Sequence, residues 1–319
     1  MSSLSRHEAG RSIGSNSMPV GVCVSPRTAT RFKQWPVTDY DLKRTLTCGQ
    51  VFRWRPQEGV WTGVVSGRWV RLSPGSDGIS AETACGQTTW AWLKEYLQVN
   101  VDLNAVVRTF PHDAPMRKAV RACWGLRLLR QEPWECLASF ILSSTKQIAQ
   151  IQQIIARLCE RFGDELAVPA GQPPAFEFPR PECLARTTEA ALRECRMGFR
   201  APHLLRAARA VADGQLELAR LGRLTLAEAR AELQKLNGVG AKIADCVLLF
   251  ACGFAQAFPL DVWMQRALRQ HYFAGRRVPL RTLIQFAAGH FGPHAGYAQQ
   301  YLFHYSRISG NSVRTQIAA

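Results

Sequence analysis

Residues 227–253, AEARAELQKLNGVGAKIADCVLLFACG, carry two helical periods separated by Asn237-Gly238-Val239-Gly240. So short a break between two helical stretches leaves room only for a tight hairpin of helices. Glycine on both sides of Val239 permits positive φ and close backbone approach. The turn can therefore present successive amide N–H groups at the start of the second helix. Such a turn suits an anion, a DNA phosphate included. An ordinary αα-turn uses the same Gly-x-Gly pattern and needs no ligand.

Lys242 falls in the first turn of the second helix. The helix dipole there disfavours an added positive charge, which suits an amine that must act uncharged as a nucleophile. A solvated Lys resting on a phosphate would occupy the same place. About twenty residues on, Pro259-Leu260-Asp261-Val262-Trp263 precedes the amphipathic run MQRALRQHY. Asp261 fits a helix N-cap, where amide protons of the first turn keep its carboxylate ionised. An ionised carboxylate is useful beside a developing sugar cation, although capping alone accounts for an Asp at that position.

Composition narrows the partner. Lys and Arg number 40 against 24 Asp and Glu, a formal charge of +16, which favours a polyanion because phosphate neutralisation releases counterions. Only seven of the basic residues are Lys, so phosphate contact falls mostly to Arg. A Lys inside a motif then points to what a guanidinium cannot offer, a reachable neutral amine. The ten cysteines include no CxxC pair and no clustered quartet, which argues against zinc and iron–sulfur sites. They are expected to be mostly reduced core thiols. No cofactor and no metal are expected. With no apolar run of eighteen residues and no secretory signal at its start, the chain reads as an intracellular protein without a membrane partner.

Along the chain, residues 1–35 are rich in Ser, Arg, Gly and Thr without hydrophobic periodicity, and read as a disordered basic tail. From Val51 to about Cys85, the β-prone runs VFRWRP, VWTGVV and RWVRLSPG alternate with turn signals and predict an antiparallel meander. Beyond Thr88 the pattern is helical. Residues 164–185 are Pro-rich and read as an irregular connection. The fold class is α+β: a small N-terminal antiparallel sheet domain over 36–125, an all-helical body with the hairpin over 126–310, and a short tail over 311–319.

Five ordered segments carry a resemblance: LTCGQVFRW (46–54), LRLLRQEPWECLASFILSS (126–144), MGFRA (197–201), GVGAKIADC (238–246) and GYAQQYLF (296–303). Together with the GVGxK hairpin and its trailing Asp, the chain over about 36–308 closely resembles the helix-hairpin-helix DNA glycosylases, in their 8-oxoguanine branch. The absence of a C-terminal four-cysteine cluster separates it from the iron–sulfur branches.

The resemblance implies a base-excision enzyme acting on double-stranded DNA that contains oxidised guanine. Lys242 would attack the anomeric carbon, displace the base and form a Schiff base that permits strand cleavage by β-elimination. Asp261 would stabilise the oxocarbenium-like transition state. The carbonyl of Gly49 would accept from N7–H, the donor that distinguishes 8-oxoguanine from guanine. Gln299 would meet the Watson–Crick edge, with Phe303 and Cys246 on the two faces of the base. Gly238, Val239 and Gly240 would contact the DNA backbone, Phe199 would wedge into the stack, and Arg200, Thr145 and Gln150 would face the orphaned partner base. The protein is expected to act as a monomer in a DNA-bearing compartment.

Some positions depart from the pattern. Trp263 stands where a His is expected, Thr145, Lys146 and Gln147 replace an Asn run, and Gln150 replaces an Arg. Two alternatives stay open from sequence: a glycosylase/lyase for another damaged base, and a catalytically silent DNA-binding protein that uses the hairpin for phosphate contact alone.

Overall fold

The computed structural model describes residues 29–75, 77–84, 89–144 and 147–317, with side chains described as far as residue 309. Thr145 and Lys146 therefore lie outside the described residues.

Five antiparallel strands, β1 (Thr30–Pro36), β2 (Arg55–Gln57), β3 (Val60–Val65), β4 (Arg68–Gly75) and β5 (Gly78–Ala84), form one sheet in the order β1-β5-β4-β3-β2. The expected meander is β2 to β5, its strands joined by two-residue turns at Glu58-Gly59 and Ser66-Gly67. In β3 buried and partly exposed residues alternate, with Trp61 and Val65 pointing inward, the period expected of a strand with one wet face. Of the run VFRWRP only Arg55 and Pro56 enter a strand. Residues 51–54 form a loop whose Val51, Phe52 and Trp54 are buried.

β1 corrects the reading of residues 1–35 as a disordered tail. Thr30 to Pro36 pair with Ala84 to Gly78 of β5 along the whole strand. Trp35 is its one buried residue, so the sequence offers no alternation from which to read a strand. Backbone pairing and the edge-on contact of Trp35 with Trp90, 5.9 Å between ring centres, hold it in place. The C-terminal tail expected over 311–319 is corrected likewise, because the last helix, Ala295–Ile317, continues to residue 317. The Pro-rich connection is not wholly irregular: Glu165–Leu166 pairs with Ala175–Phe176, and Pro181–Ala185 is a short helix.

The helix Pro133–Leu142 runs through the middle of the helical body. Glu132 caps it, accepting from Trp134 N at 3.0 Å and Glu135 N at 2.6 Å, and its residues from Cys136 to Leu142 are all buried. A helix apolar on every side has to sit inside. One hydrophobic core unites it with Met116, Ala119, Cys123, Ile155, Leu204, Leu248 and Tyr301; a second joins Trp35, Trp61 and Leu72 of the sheet to Trp54, Leu93, Leu97 and Leu129. The cores do not part at residue 125. Leu103, Val106 and Phe110 already pack into the helical core, whereas Leu129 packs under the sheet. The loop 48–52 bridges them, with Cys48 and Phe52 in one core and Val51 in the other.

Candidate active site

The hairpin forms between helices Leu226–Gln234 and Ala241–Val247. Thr225 opens the first with a capping box, its N–H donating to Glu228 Oε2 at 2.9 Å. Arg230 Nε donates to Asp245 Oδ1 at 2.7 Å and ties the two helices together. Gly238 takes φ +89, and a methyl group built on it would stand 2.5 Å from His203 Cγ. Conformation and crowding therefore both require glycine. Of the two glycines that permit positive φ beside Val239, only Gly238 uses it: Gly240 has φ −88, and nothing lies within 4 Å of an added methyl group. Its bare backbone faces open space at the start of the second helix.

Lys242 projects half-buried from that helix. Its Nζ donates to Ser143 Oγ at 3.3 Å and stands 5.1 Å from the centre of the Phe140 ring. Ser143 Oγ donates in turn to the Phe140 carbonyl at 2.8 Å. Asp261 caps helix Val262–Tyr272, Oδ1 accepting from Met264 N at 2.7 Å, as expected. Cys246, one turn beyond Lys242, is buried, and burial pushes its thiol up to about 12, with Lys242 pulling it down and Asp261 pushing it up. Both charges thus act on one buried sulfur. The thiol stays protonated at neutral pH and offers a neutral surface. Beyond Val247 the helix widens into a π-turn over Leu248–Cys252, an irregularity common at functional sites.

Gly49 lies in the loop that bridges the two cores, with φ +89. A methyl group built on it would stand 3.4 Å from Arg307 Nη1, 3.6 Å from Ile148 Cδ1 and 3.7 Å from Phe303 Cε1. These are ordinary contacts, so backbone conformation, more than crowding, calls for glycine there. The neighbouring residues fix this loop. Gln50 is fully buried: its Nε2 donates to the carbonyls of Thr45 at 2.9 Å and Arg127 at 2.8 Å, and its Oε1 accepts from Leu129 N at 2.9 Å. Gln131 Nε2 donates to the Gln50 carbonyl at 2.8 Å, and Gln300 Nε2, from the last helix, to the Cys48 carbonyl at 2.9 Å. Gln299 is 4% exposed, and its Oε1 has no hydrogen-bond partner among the described residues. That buried oxygen keeps its capacity to accept a hydrogen bond.

Phe199 is 57% exposed in the single 3-10 turn Gly198–Arg200, as a wedge requires. Arg200 is 1% exposed and lies 4.3 Å from the centre of the Phe199 ring. Its guanidinium is covered, so the contact expected with an orphaned base is not available in this conformation. Gln150 is exposed and its Oε1 accepts from Gln147 N at 3.2 Å. Trp263 is exposed, with the Arg266 guanidinium 5.5 Å from its ring centre. A groove of about 660 Å³ between β2, β3 and helix Ile148–Phe162, lined by Trp54, Trp69, Ile155 and Phe176, shares none of these residues. Among the described residues, no three His, Cys, Asp or Glu side chains are grouped to hold a metal ion, and no helix is long and apolar enough to cross a membrane.

Sequence reasoning missed Phe140, Ser143, Gln50, Gln300 and Arg307. The helical i, i+4 spacing from Phe303 to Arg307 could have pointed to the last.

Residues 138–287 match the HhH-GPD superfamily base excision DNA repair proteins, the class to which the hairpin and its trailing Asp conform. Residues 34–137, which carry the sheet and the Gly49 loop, match the 8-oxoguanine DNA glycosylase N-terminal domain. The chain belongs to the 8-oxoguanine DNA glycosylase family of the HhH-GPD superfamily. It is 30% identical over 306 residues to a probable N-glycosylase/DNA lyase of Methanothermobacter thermautotrophicus, covering 86% of this chain and 96% of the relative. The solved structure of MBOgg1 in complex with a low affinity DNA ligand superposes with a TM-score of 0.82 at 32% identity, covering 88% of this chain and 99% of that one. The Clostridium acetobutylicum 8-oxoguanine glycosylase/lyase in complex with double-stranded DNA, cytosine opposite 8-oxoguanine, gives 0.80 at 32% identity, covering 85% and 93%.

Proposed function

We propose that this protein, acting as a monomer in a DNA-bearing compartment, turns 8-oxoguanine out of duplex DNA and excises it with Lys242 as nucleophile. The observation that carries the reading is the half-buried Lys242 amine in the first turn of the hairpin's second helix, held at 3.3 Å from Ser143 Oγ, within this family's fold and with Asp261 capping the helix that follows.

The amine must shed its proton before its lone pair attacks C1′ of the damaged nucleotide. The N9–C1′ bond breaks, and the base leaves with the bonding electrons. Asp261 spends one oxygen on Met264 N, and its carboxylate charge stabilises the cation that develops at the sugar. As the C1′–O4′ bond breaks, O4′ takes up a proton and the nitrogen, having lost one to water, is left as a Schiff base on Nζ; transfer of a C2′ proton to water then expels the 3′ phosphate by β-elimination.

For recognition, the Gly49 carbonyl accepts from N7–H, and the open Oε1 of Gln299 accepts from N1–H and the exocyclic N2–H of the guanine edge. Phe303 and Cys246 take the two faces of the base. The loop holding Gly49 is fixed by buried hydrogen bonds on either side, so its carbonyl needs no reordering when the base enters. Phe199 fills the vacated stack, and the hairpin amides take a backbone phosphate.

The test is release of free base from duplexes carrying a single 8-oxoguanine or a single guanine opposite cytosine, followed together with strand cleavage. Release confined to 8-oxoguanine, with cleavage at the same site, is expected. A protein that leaves 8-oxoguanine in place but removes another damaged base would overturn the substrate.

A further inference from the structure

Arg307 lies one turn beyond Phe303 on the last helix, half-buried, its guanidinium 5.6 Å from the centre of the Phe303 ring. Its Nη1 is the nearest atom to a methyl group built on Gly49, at 3.4 Å. That nitrogen is buried and has no hydrogen-bond partner among the described residues. Burial draws the guanidinium down from its usual range, while Cys48 and Asp261 act in the opposite direction. A guanidinium stays charged under such pressure. Burial, with the charges of Arg307 and Arg44, pulls the neighbouring His304 down to about 4, so that imidazole is neutral at physiological pH. The positive charge of Arg307 therefore stands beside the Gly49 loop with a buried Nη1 that donates to no described residue, a donor left open.

We propose that Arg307 is a further substrate-contacting residue, donating from Nη1 to O8 of the flipped base and stabilising that base as it departs. The inference rests on the reading above, in which the Gly49 carbonyl takes N7–H. In 8-oxoguanine N7–H is flanked by O8 on one side and O6 on the other, and the Arg307 donor beside the Gly49 loop is assigned to O8, the flank that guanine lacks. When the N9–C1′ bond breaks, the electron pair left on N9 is delocalised through C8 onto O8. The base takes a proton from water only as it leaves. A fixed cation at O8 meets that charge while it forms. The Phe303 ring, 5.6 Å from the guanidinium, holds the fork in place. Guanine lacks O8, so the same contact adds to discrimination.

The experiment compares wild type, Arg307→Leu and Arg307→Lys in single-turnover excision of 8-oxoguanine and in strand cleavage at a preformed abasic site, where no base is present. Binding of 8-oxoguanine and guanine duplexes is measured in parallel in the Lys242→Gln background. Thermal melting confirms that each variant is folded. Arg307→Leu is expected to slow excision by at least about tenfold relative to abasic-site cleavage, with partial recovery in Arg307→Lys, and to narrow the binding preference for 8-oxoguanine over guanine. Equal losses in excision and abasic-site cleavage would overturn the proposal, assigning Arg307 to Asp261 or to the fold. An unchanged excision rate, or an unchanged binding preference, would overturn it as well. Failure of the wild type to release 8-oxoguanine would instead strike the function proposed above.

Discussion

Lys242 and Ser143, 99 residues apart in the chain, meet at 3.3 Å where the hairpin's second helix crosses the end of the central helix. Ser143 spends its own proton on the Phe140 carbonyl at 2.8 Å, so its oxygen is committed to accepting from the amine. That fixes where Nζ stands before DNA arrives. Ser143→Ala should slow excision by roughly fivefold, the worth of a neutral hydrogen bond of about 1 kcal/mol, with little change in melting temperature. Single-turnover kinetics check it; a rate equal to wild type would show that the amine is placed by the Phe140 ring alone.

Asp261→Asn should slow excision by at least about a hundredfold, the scale of a lost preorganised charge. Stability should fall only slightly, since Asn also accepts from the amide now bonded to Asp261 Oδ1 at 2.7 Å. Thermal melting beside the rate measurement separates the two effects. A fully active variant would reduce Asp261 to a helix cap.

Gln299→Ala and Phe303→Ala should each weaken binding of 8-oxoguanine duplex by about 1 to 3 kcal/mol, through the lost edge hydrogen bond and the lost stacking. Affinity for undamaged duplex should barely change. Titration of both duplexes decides the matter: equal losses on the two would mean that these residues hold the fold.

Much of this site is legible in the sequence because local chemistry dictates it. Asp261 begins a helix and caps it, and Gly238 turns a corner that only glycine can turn. What stays illegible depends on distant partners. β1 buries only Trp35 and is held by β5, so its own sequence carries no strand period. Gly240 shares a motif with Gly238 yet keeps an extended backbone, a difference set by the helix that follows. Arg200 reads as a surface contact and lies beneath Phe199. Nothing in the sequence shows that Gln50 and Gln300 immobilise the Gly49 loop, because their partners come from 77 and 252 residues away.

Selectivity for cytosine opposite the lesion should be weaker than an Arg at position 150 would allow. Gln150 offers a neutral amide, and its Oε1 is already bonded to Gln147 N, while Arg200 is buried. Gln150→Arg, alone or with Thr145→Asn, should sharpen the preference by about 1 to 3 kcal/mol. Excision opposite each of the four bases measures it. A wild type already exclusive for cytosine would contradict this and show that Arg200 suffices.

The claim on which the rest depends is that the Lys242 amine forms the covalent bond to the sugar. Borohydride reduces a Schiff base to a stable amine, so wild-type protein incubated with 8-oxoguanine duplex and borohydride should yield a cross-linked complex. Lys242→Ala should yield none, and Lys242→Arg none, because a guanidinium that stays charged cannot attack. The mass of the trapped wild-type peptide should place the adduct on residue 242. Trapping of Lys242→Ala at the wild-type rate would contradict the account and assign the chemistry to another amine.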